Sequence, residues 1–390
     1  MITEEKVARV CRWIVLSCLA LAGCSHDGMF FPMDVDVAAT DESGNPTEFF
    51  ITDAGNDVPC TTGQDSAIYR VDLAGTVLWA FDRLGTFLNG AHNADLNPAG
   101  DQMIMSDSCN HRVVVIGYPD QTLLWDSSLD CPELELKYPN DANFLGAGIQ
   151  EGHLLLTVRD DHWFIKLDPA LCNNGVSGDE IVWSFGVKGV ARDPFGFDDP
   201  IHLLQPHNAD HLPNGNYMIS DSGTSVLGPS RVIEVDPSTN QIVWTYKKYY
   251  DCTVEGIPNA ACPSLNWARD ADVECTDPGC RTGRVVITGV HQTVVVLRDL
   301  DEPPPEGETL PRGRTVVHQL QHGAGFCYDS DSIPQWNGDT NGGLGYLLAS
   351  NHGPADFGRW VRVTRPDAED FHVDWMIKTL QMPLYALFTR

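Results

Sequence analysis

The sequence predicts an all-β chain folded as a six-bladed β-propeller of four-stranded antiparallel blades. Three observations predict it. A unit of roughly 40 to 60 residues recurs along the chain, each copy breaks into short β-rich runs parted by turn residues, and no segment offers a long helical apolar period. Two copies are clearest: "GAHNADLNPAGDQMIMSDSC" at 90–109 and "QPHNADHLPNGNYMISDSG" at 205–223. Both carry His-Asn-Ala-Asp, a turn, and an apolar run closing on Ser-Asp-Ser.

The second of these copies sets the strand pattern. Asn208 to Leu212 reads as strand one, Tyr217 to Asp221 as strand two, Arg231 to Asp236 as strand three and Gln241 to Tyr246 as strand four. Pro-Asn-Gly, Ser-Gly and Pro-Ser-Thr-Asn supply the breaks between them. Worn copies begin at Tyr138, Trp267 and Cys327, and a headless first copy begins at Glu48. Trp79, Trp125, Trp183, Trp244 and Trp375 stand in fourth strands, where a large aromatic fills the gap between blades. Residues 187–205 and 247–266 are long connections for a compact repeat, and 300–313 is a Pro- and Glu-rich surface loop.

The N-terminus reads as a separate element. Lys6, Arg9 and Arg12 precede "WIVLSCLALAG", too short for a stable membrane span and ending at Cys24. Leu-Ala-Gly-Cys resembles a bacterial lipobox, in which Cys24 carries the lipid; Ser25 after it points to the outer membrane. The domain reading is therefore a lipoprotein signal at 1–23, a tether at 24–34 and one propeller domain at 35–390. Twelve cysteines less Cys11, Cys18 and Cys24 leave nine, and an exported chain keeps disulfides. Cys252 with Cys262 and Cys275 with Cys280 are candidate pairs. Cys60, Cys109, Cys131, Cys172 and Cys327 leave several connectivities open, and the odd count leaves one cysteine free or paired between molecules.

Charge narrows the partners. Lys and Arg number 25 against 54 Asp and Glu, a formal net charge of −29. A phosphate backbone is repelled by such a chain, and no basic patch offsets it, so nucleic acid is not an expected partner. No coiled-coil or amphipathic helix points to assembly, and the oligomeric state is not legible.

Propeller geometry then places the repeated polar groups. The start of strand one, the end of strand two and the start of strand three share one end of a blade. His207, Asp221 and Arg231 take those places in one copy, and His92, Asp107 and Arg112 in another. Tyr138, Asn140, Asp141 and Arg159 come from a third, Asn351 and His352 from the last. Asp95, Asp210 and Asp272 recur in nearly every copy and read as structural caps. The residues that break the repeat, the two head histidines and Arg159, are the functional candidates.

The segment from Tyr138 to Tyr246 resembles the bacterial arylsulfate sulfotransferase family. The match rests on "HNADHLPNGNYMISDSGTSVLGPSRVIEVD" and on "LLLTVRDDHWFIKLD" followed by "IVWSFG". The resemblance implies sulfuryl transfer from an aryl sulfate to a phenol, without nucleotide donor or other cofactor. His207 is the implied nucleophile and His92 the histidine assisting the phenol oxygen. Arg159, Asn140, Tyr138 and Arg231 are the implied substrate ligands. Tyr138 departs from the family, which has a histidine there, and a phenol carries no positive charge near neutral pH. Two other readings compete: a non-catalytic surface propeller that binds a small molecule or protein, and a metal-dependent propeller. For the latter, Asp329, Asp331, Asp339, Asn337 and Asn341 form only a loose oxygen-rich group without Ca²⁺-loop spacing, so no metal site is assigned.

Overall fold

The fold is given by a computed structural model. It describes residues 32–378 apart from 43–45, 56–59, 61–65, 73, 83–86, 151, 177, 197, 224–229, 248–250, 255–256, 262–266, 290–291, 314, 322–325, 334–344, 353–355 and 368–369. At 32, 46, 251–261, 292 and 317–378 the backbone alone is described. The signal, Cys24 and most of the tether lie outside the described residues, as do the side chains of Cys327, Asp329, Asp331, Asn351, His352 and Trp375.

Five four-stranded sheets account for most of the chain. The first holds β1 (Pro32–Thr40), β2 (Pro46–Asp53), β3 (Ala67–Asp72) and β4 (Val77–Phe81). The second holds β5 (Ala91–Leu96), β6 (Gln102–Asp107), β7 (Arg112–Gly117) and β8 (Leu123–Asp126). The third holds β9 (Pro139–Gly146), β10 (Gly152–Val158), β11 (Trp163–Leu167) and β12 (Ile181–Gly186). The fourth holds β13 (Pro206–His211), β14 (Tyr217–Asp221), β15 (Arg231–Asp236) and β16 (Gln241–Lys247). After it come β17 (Asp251–Val254), β18 (Ile257–Ala261), β19 (Ala268–Cys275), β20 (Thr282–Gly289), β21 (Gln292–Asp299) and β22 (Thr315–Gln321), which share one sheet. The last four-stranded sheet holds β23 (Phe326–Ile333), β24 (Gly345–His352), β25 (Asp356–Asp367) and β26 (Asp370–Lys378).

Two expectations are corrected here. The blades of four strands number five, not six, because the connection at 247–266 is itself a hairpin. Its strand β17 adds in parallel to β22, giving a six-stranded sheet in the order β18-β17-β22-β21-β20-β19. The first copy is also not headless: β1 pairs with β2 and supplies its inner strand. Its sequence, "PMDVDVAAT", shares only the alternation of the unit and none of its His-Asn-Ala-Asp wording. The inner strands β1, β5, β9, β13, β19 and β23 are successive neighbours, and β23 lies beside β1, so the sheets close into a ring.

Alternation along each strand explains why these runs are apolar throughout. Met103 and Met105 of β6 pack on Phe50 and Ile68 of the first blade, while Ile104 between them packs on Leu154 and Leu156 of the third. Leu155 of β10 turns the other way, onto Tyr217 and Ile219. Met218 then faces Val285 and Ile287 of the next sheet. Successive side chains point to opposite faces, and here both faces are covered. Each such residue contributes about 1.5–3 kcal/mol of burial. The fourth-strand tryptophans join these seams: Trp244 is fully buried, and Trp183 lies 4.8 Å from Tyr217 across the blade boundary.

Polar groups lock the same seams. Glu234, fully buried, receives both arms of Arg298 at 2.6 Å and the side-chain amides of Asn214 and Asn216. That network pins the fourth blade to the six-stranded sheet. Among the described residues, three disulfides add covalent ties: Cys60–Cys109, Cys131–Cys172 and Cys275–Cys280. The first closes a loop of 49 residues, worth roughly 4 kcal/mol in chain entropy. Cys275–Cys280 is one of the two pairs read from sequence; Cys262 of the other lies outside the described residues.

Removing one partner of a buried ion pair leaves an uncompensated charge. Arg298→Met is therefore expected to lower unfolding free energy by about 3–5 kcal/mol, read from urea denaturation. The double variant with Glu234→Gln should recover part of that loss.

Candidate active site

Register defines the site. The second residue of five of the six inner strands forms a ring at one end of the channel: Met33, His92, Asn140, His207 and Arg269. These five side chains line one compact cavity, together with the residues that follow four of them, Asp34, Asn93, Asp141 and Asn208. Blade closure thus brings His207, His92 and Asn140 together, as the sequence reading expects. It also brings in Arg269, which that reading passed over.

Three successive inner strands, β1, β5 and β9, each hand an oxygen to the next blade. Asp34 Oδ2 accepts the Ala94 N–H at 3.0 Å, Asn93 Oδ1 that of Ala142 at 3.1 Å, and Asp141 Oδ2 that of Ala209 at 3.1 Å. The repeated alanine is fully buried because the neighbouring strand leaves no room beyond a methyl group. One of these oxygens, that of Asn93, stands two places before Asp95, which the sequence reads as a structural cap. Asp95 itself accepts from the Asn93 amide at 2.6 Å. Asp210, Asp270 and Asp272 hold one carboxylate oxygen each within 4.8 Å of one another.

A second repeated device sets the mouth. Gly90, Tyr138, Gln205 and Trp267, two residues before the ring positions, all have left-handed backbone with φ of 52–61°. That region suits glycine and strains a bulky side chain. His111 and His162 hold two of these residues, their Nδ1 atoms accepting the N–H of Tyr138 and Gln205 at 3.1 Å. The backbone twist throws the aromatic rings across the boundary onto the preceding blade's histidine. Tyr138 lies edge-on to His92 at 5.3 Å, and Trp267 edge-on to His207 at 6.0 Å. An arginine tops each ring, Arg159 over Tyr138 at 4.7 Å and Arg269 over Trp267 at 3.7 Å.

A hydrogen bond fixes the tautomer of His207. His207 Nδ1 meets the Gln205 carbonyl at 3.1 Å. A carbonyl only accepts, so Nδ1 carries the proton and Nε2 offers its lone pair. Arg269 Nη1 is the hydrogen-bond partner of that Nε2. His92 Nε2 meets the Tyr138 hydroxyl at 2.9 Å. The Asn140 amide donates to the His207 carbonyl at 3.3 Å. Burial, then the charges of Arg269 and Arg159, hold both histidines well below the usual imidazole range, with His92 adding to the effect on His207. Both rings are neutral at physiological pH.

One sequence assignment needs correction. Arg231 does not line the cavity. It is buried, bonded to Asp221 at 2.7 Å and to the carbonyls of Asp199 and His202, with Arg192 of the 187–205 connection on the same carboxylate. Arg112 repeats this with Asp107. The Ser-Asp-Ser motif is a structural anchor: Asp107 and Asp221 also accept the Asn89 and Leu204 N–H groups. Arg159, in turn, is not in register with those aspartates. The His111 and His162 amides bond Ser108 O and Arg159 O respectively, so Arg159 replaces Ser108 and Ser222. Those serines bond the next blade's Pro139 and Ala268 carbonyls. A one-residue slip moves a side chain to the opposite face. Aligning Ala94, Ala142, Ala209 and Ala271 of four units would have found Arg269; its unit, "RDAD", lacks the histidine that marked the two clearest copies.

No protein-family model matches the chain, and no curated protein matches it. Solved structures do. The chain is similar to hydrazine synthase of Kuenenia stuttgartiensis, at 11% identity over 86% of this chain and 76% of that one, with a TM-score of 0.47. It is similar to the Cps50 (Swd1) β-propeller domain of Myceliophteria thermophila at 9% identity, covering 91% and 88%, with a TM-score of 0.46. A putative 6-phosphogluconolactonase of Bacteroides uniformis is 11% identical over 88% of each chain, with a TM-score of 0.45. The likeness is one of shape. The chemistry has to be argued from the cavity.

The neutral histidines couple stability to pH. Burial holds His162 below the imidazole value of 6.5, so the unfolded chain binds its proton first. Stability from this contact is fully present above pH 6.5 and declines as pH falls below it. Asp107 and Asp141, pushed up chiefly by burial, act in the opposite sense, so the test is a difference. The stability advantage of wild type over His162→Gln should shrink as pH is lowered from about 7.5 to 5.5, read from urea midpoints. An advantage that stays constant would refute the assignment.

Proposed function

We propose that the cavity is an arylsulfotransferase-like site that moves a sulfuryl group from an aryl sulfate to a phenol through His207. The observation that carries this reading is the tautomer of His207. Its Nδ1–H is tied to Gln205 O, so a neutral Nε2 lone pair is presented beside a guanidinium. In the first step Nε2 bonds to sulfur and the S–O(aryl) bond breaks, its electron pair leaving on the phenolate. Arg269 and Arg159 offset the charge on the sulfuryl oxygens. The Tyr138–His92 pair stands ready to supply a proton to the leaving oxygen. In the second step the acceptor phenol attacks sulfur, the S–N pair returns to Nε2, and His92 takes the acceptor's proton. Tyr138 fills the family's histidine position as a neutral donor held on His92, and the added charge comes from Arg269.

A second reading, a non-catalytic anion-binding propeller, is favoured by the Arg269 contact, since that guanidinium covers the nucleophilic nitrogen. One experiment separates the two. Intact mass spectrometry after brief incubation with para-nitrophenyl sulfate should show gain of one SO₃, mapped to His207 and absent in His207→Ala. Sulfate binding to wild type without any mass gain would support the binding-only reading instead.

We also propose that the chain is exported and anchored by lipid on Cys24 at the outer membrane. Three disulfides support an oxidising compartment. Radiolabelled palmitate should be incorporated in bacterial cells and lost in Cys24→Ala. Unlabelled wild type would rule the anchor out.

A further inference from the structure

The cavity carries two kinds of polar group. At the ring are the histidines and Arg269, described above. One step further along the inner strands are oxygens. Among the described residues, Asn140 Oδ1 and Asp141 Oδ1 are buried side-chain acceptors without a hydrogen-bond partner. Asn140 is 8% exposed and Asp141 3%, and both line the cavity that His92 and His207 share. Their orientations are not arbitrary. The Asn140 amide nitrogen is committed to His207 O, which leaves its oxygen as the free end. Asp141 Oδ2 is committed to Ala209 N–H and to the Asn143 amide, which leaves Oδ1.

A buried acceptor without a donor costs about 1–3 kcal/mol, so a ligand that brings donors is favoured there. The electrostatic surroundings choose which donor. Asp141 feels the carboxylates of Asp95, Asp210 and Asp34, and these, after burial itself, push its carboxyl up. Asp34 is also a cavity-lining residue. A neutral hydroxyl relieves the missing hydrogen bonds alone. A primary ammonium relieves them and offsets the negative charge as well.

We propose that the Asn140–Asp141 side of the cavity binds the ammonium group of a small aromatic amine, making amine-bearing phenols the preferred acceptors. The word acceptor rests on the proposed function; the binding does not, because it is measured with no sulfate donor present.

The probe is a matched pair, tyramine and para-ethylphenol, which differ by the amino group, titrated calorimetrically into the full chain with chelator present. Tyramine is expected to bind at least about tenfold more tightly, the ratio that one charge-assisted hydrogen bond supplies. Para-hydroxyphenylacetate, with a carboxylate in place of the amine, should bind more weakly than either. Asp141→Asn should bring the two affinities within about threefold. That variant keeps the handover to Ala209, because Asn93 performs the same handover to Ala142 in the preceding blade. Equal binding of the pair by wild type would overturn the proposal whatever the variant does. Calcium binding to wild type without discrimination between the pair would overturn it too, and would make this floor a metal site. If tyramine discriminates while His207 gains no SO₃, the amine site stands and the transfer reading falls.

Discussion

A side-chain oxygen on each of the inner strands β1, β5 and β9 accepts a backbone N–H of the blade that follows, and the described part of the channel depends on this handover. Asp34, Asn93 and Asp141 pass it to Ala94, Ala142 and Ala209. Each bond satisfies an N–H that no strand pairing reaches, since inner strands have a ladder partner on one side only. The alanine methyl lets the strands approach closely enough for the bond to form. Ring closure then follows from repetition of a local contact, and the residues just ahead of each handover have to face one another across the axis.

The same constraint produces the chemistry. Because the handover fixes where each strand begins, it fixes the ring of Met33, His92, Asn140, His207 and Arg269. The left-handed residues ahead of that ring carry Tyr138 and Trp267 over the boundary onto the previous blade's histidine. Two similar modules result, each a histidine, an edge-on aromatic and a stacked arginine. They differ where function would require it. In one module the arginine reaches the histidine nitrogen; in the other a phenol does. Under the proposed transfer reading, a nucleophile and a proton carrier share one cavity while keeping separate hydrogen-bond partners.

Charge of both signs meets at the cavity. Arg269 lines the cavity with the two histidines, Arg159 stacks on Tyr138 close enough to act on both, and the carboxylates of Asp34 and Asp141 line the same cavity. For a chain with a net charge of −29, the proposed binding of an anionic donor rests on these two guanidinium groups being local. The buried pairs Asp221–Arg231 and Glu234–Arg298 serve the frame: they consume charge inside seams, away from the cavity.

Repetition made much of this legible before any coordinates. The β14 and β15 boundaries, the apolar strands covered on both faces, and the meeting of His92, His207 and Asn140 all follow from the recurring unit. A repeated sequence must put equivalent residues in equivalent places. What the sequence could not settle lay where copies lose their wording or where two registers compete. β1 shares only alternation with its relatives, and the hairpin at 251–261 looks like a loop until its edge pairs with β22. Arg231 has the composition of an anion ligand, yet a buried Asp221 claims it, and only the packed structure shows that contact. Arg269 stood unmarked because its neighbours spell Arg-Asp-Ala-Asp instead of His-Asn-Ala-Asp. Sequence carries which residues are repeated; the closed ring decides which of them share water-excluded space, since that depends on contacts between strands far apart in the chain.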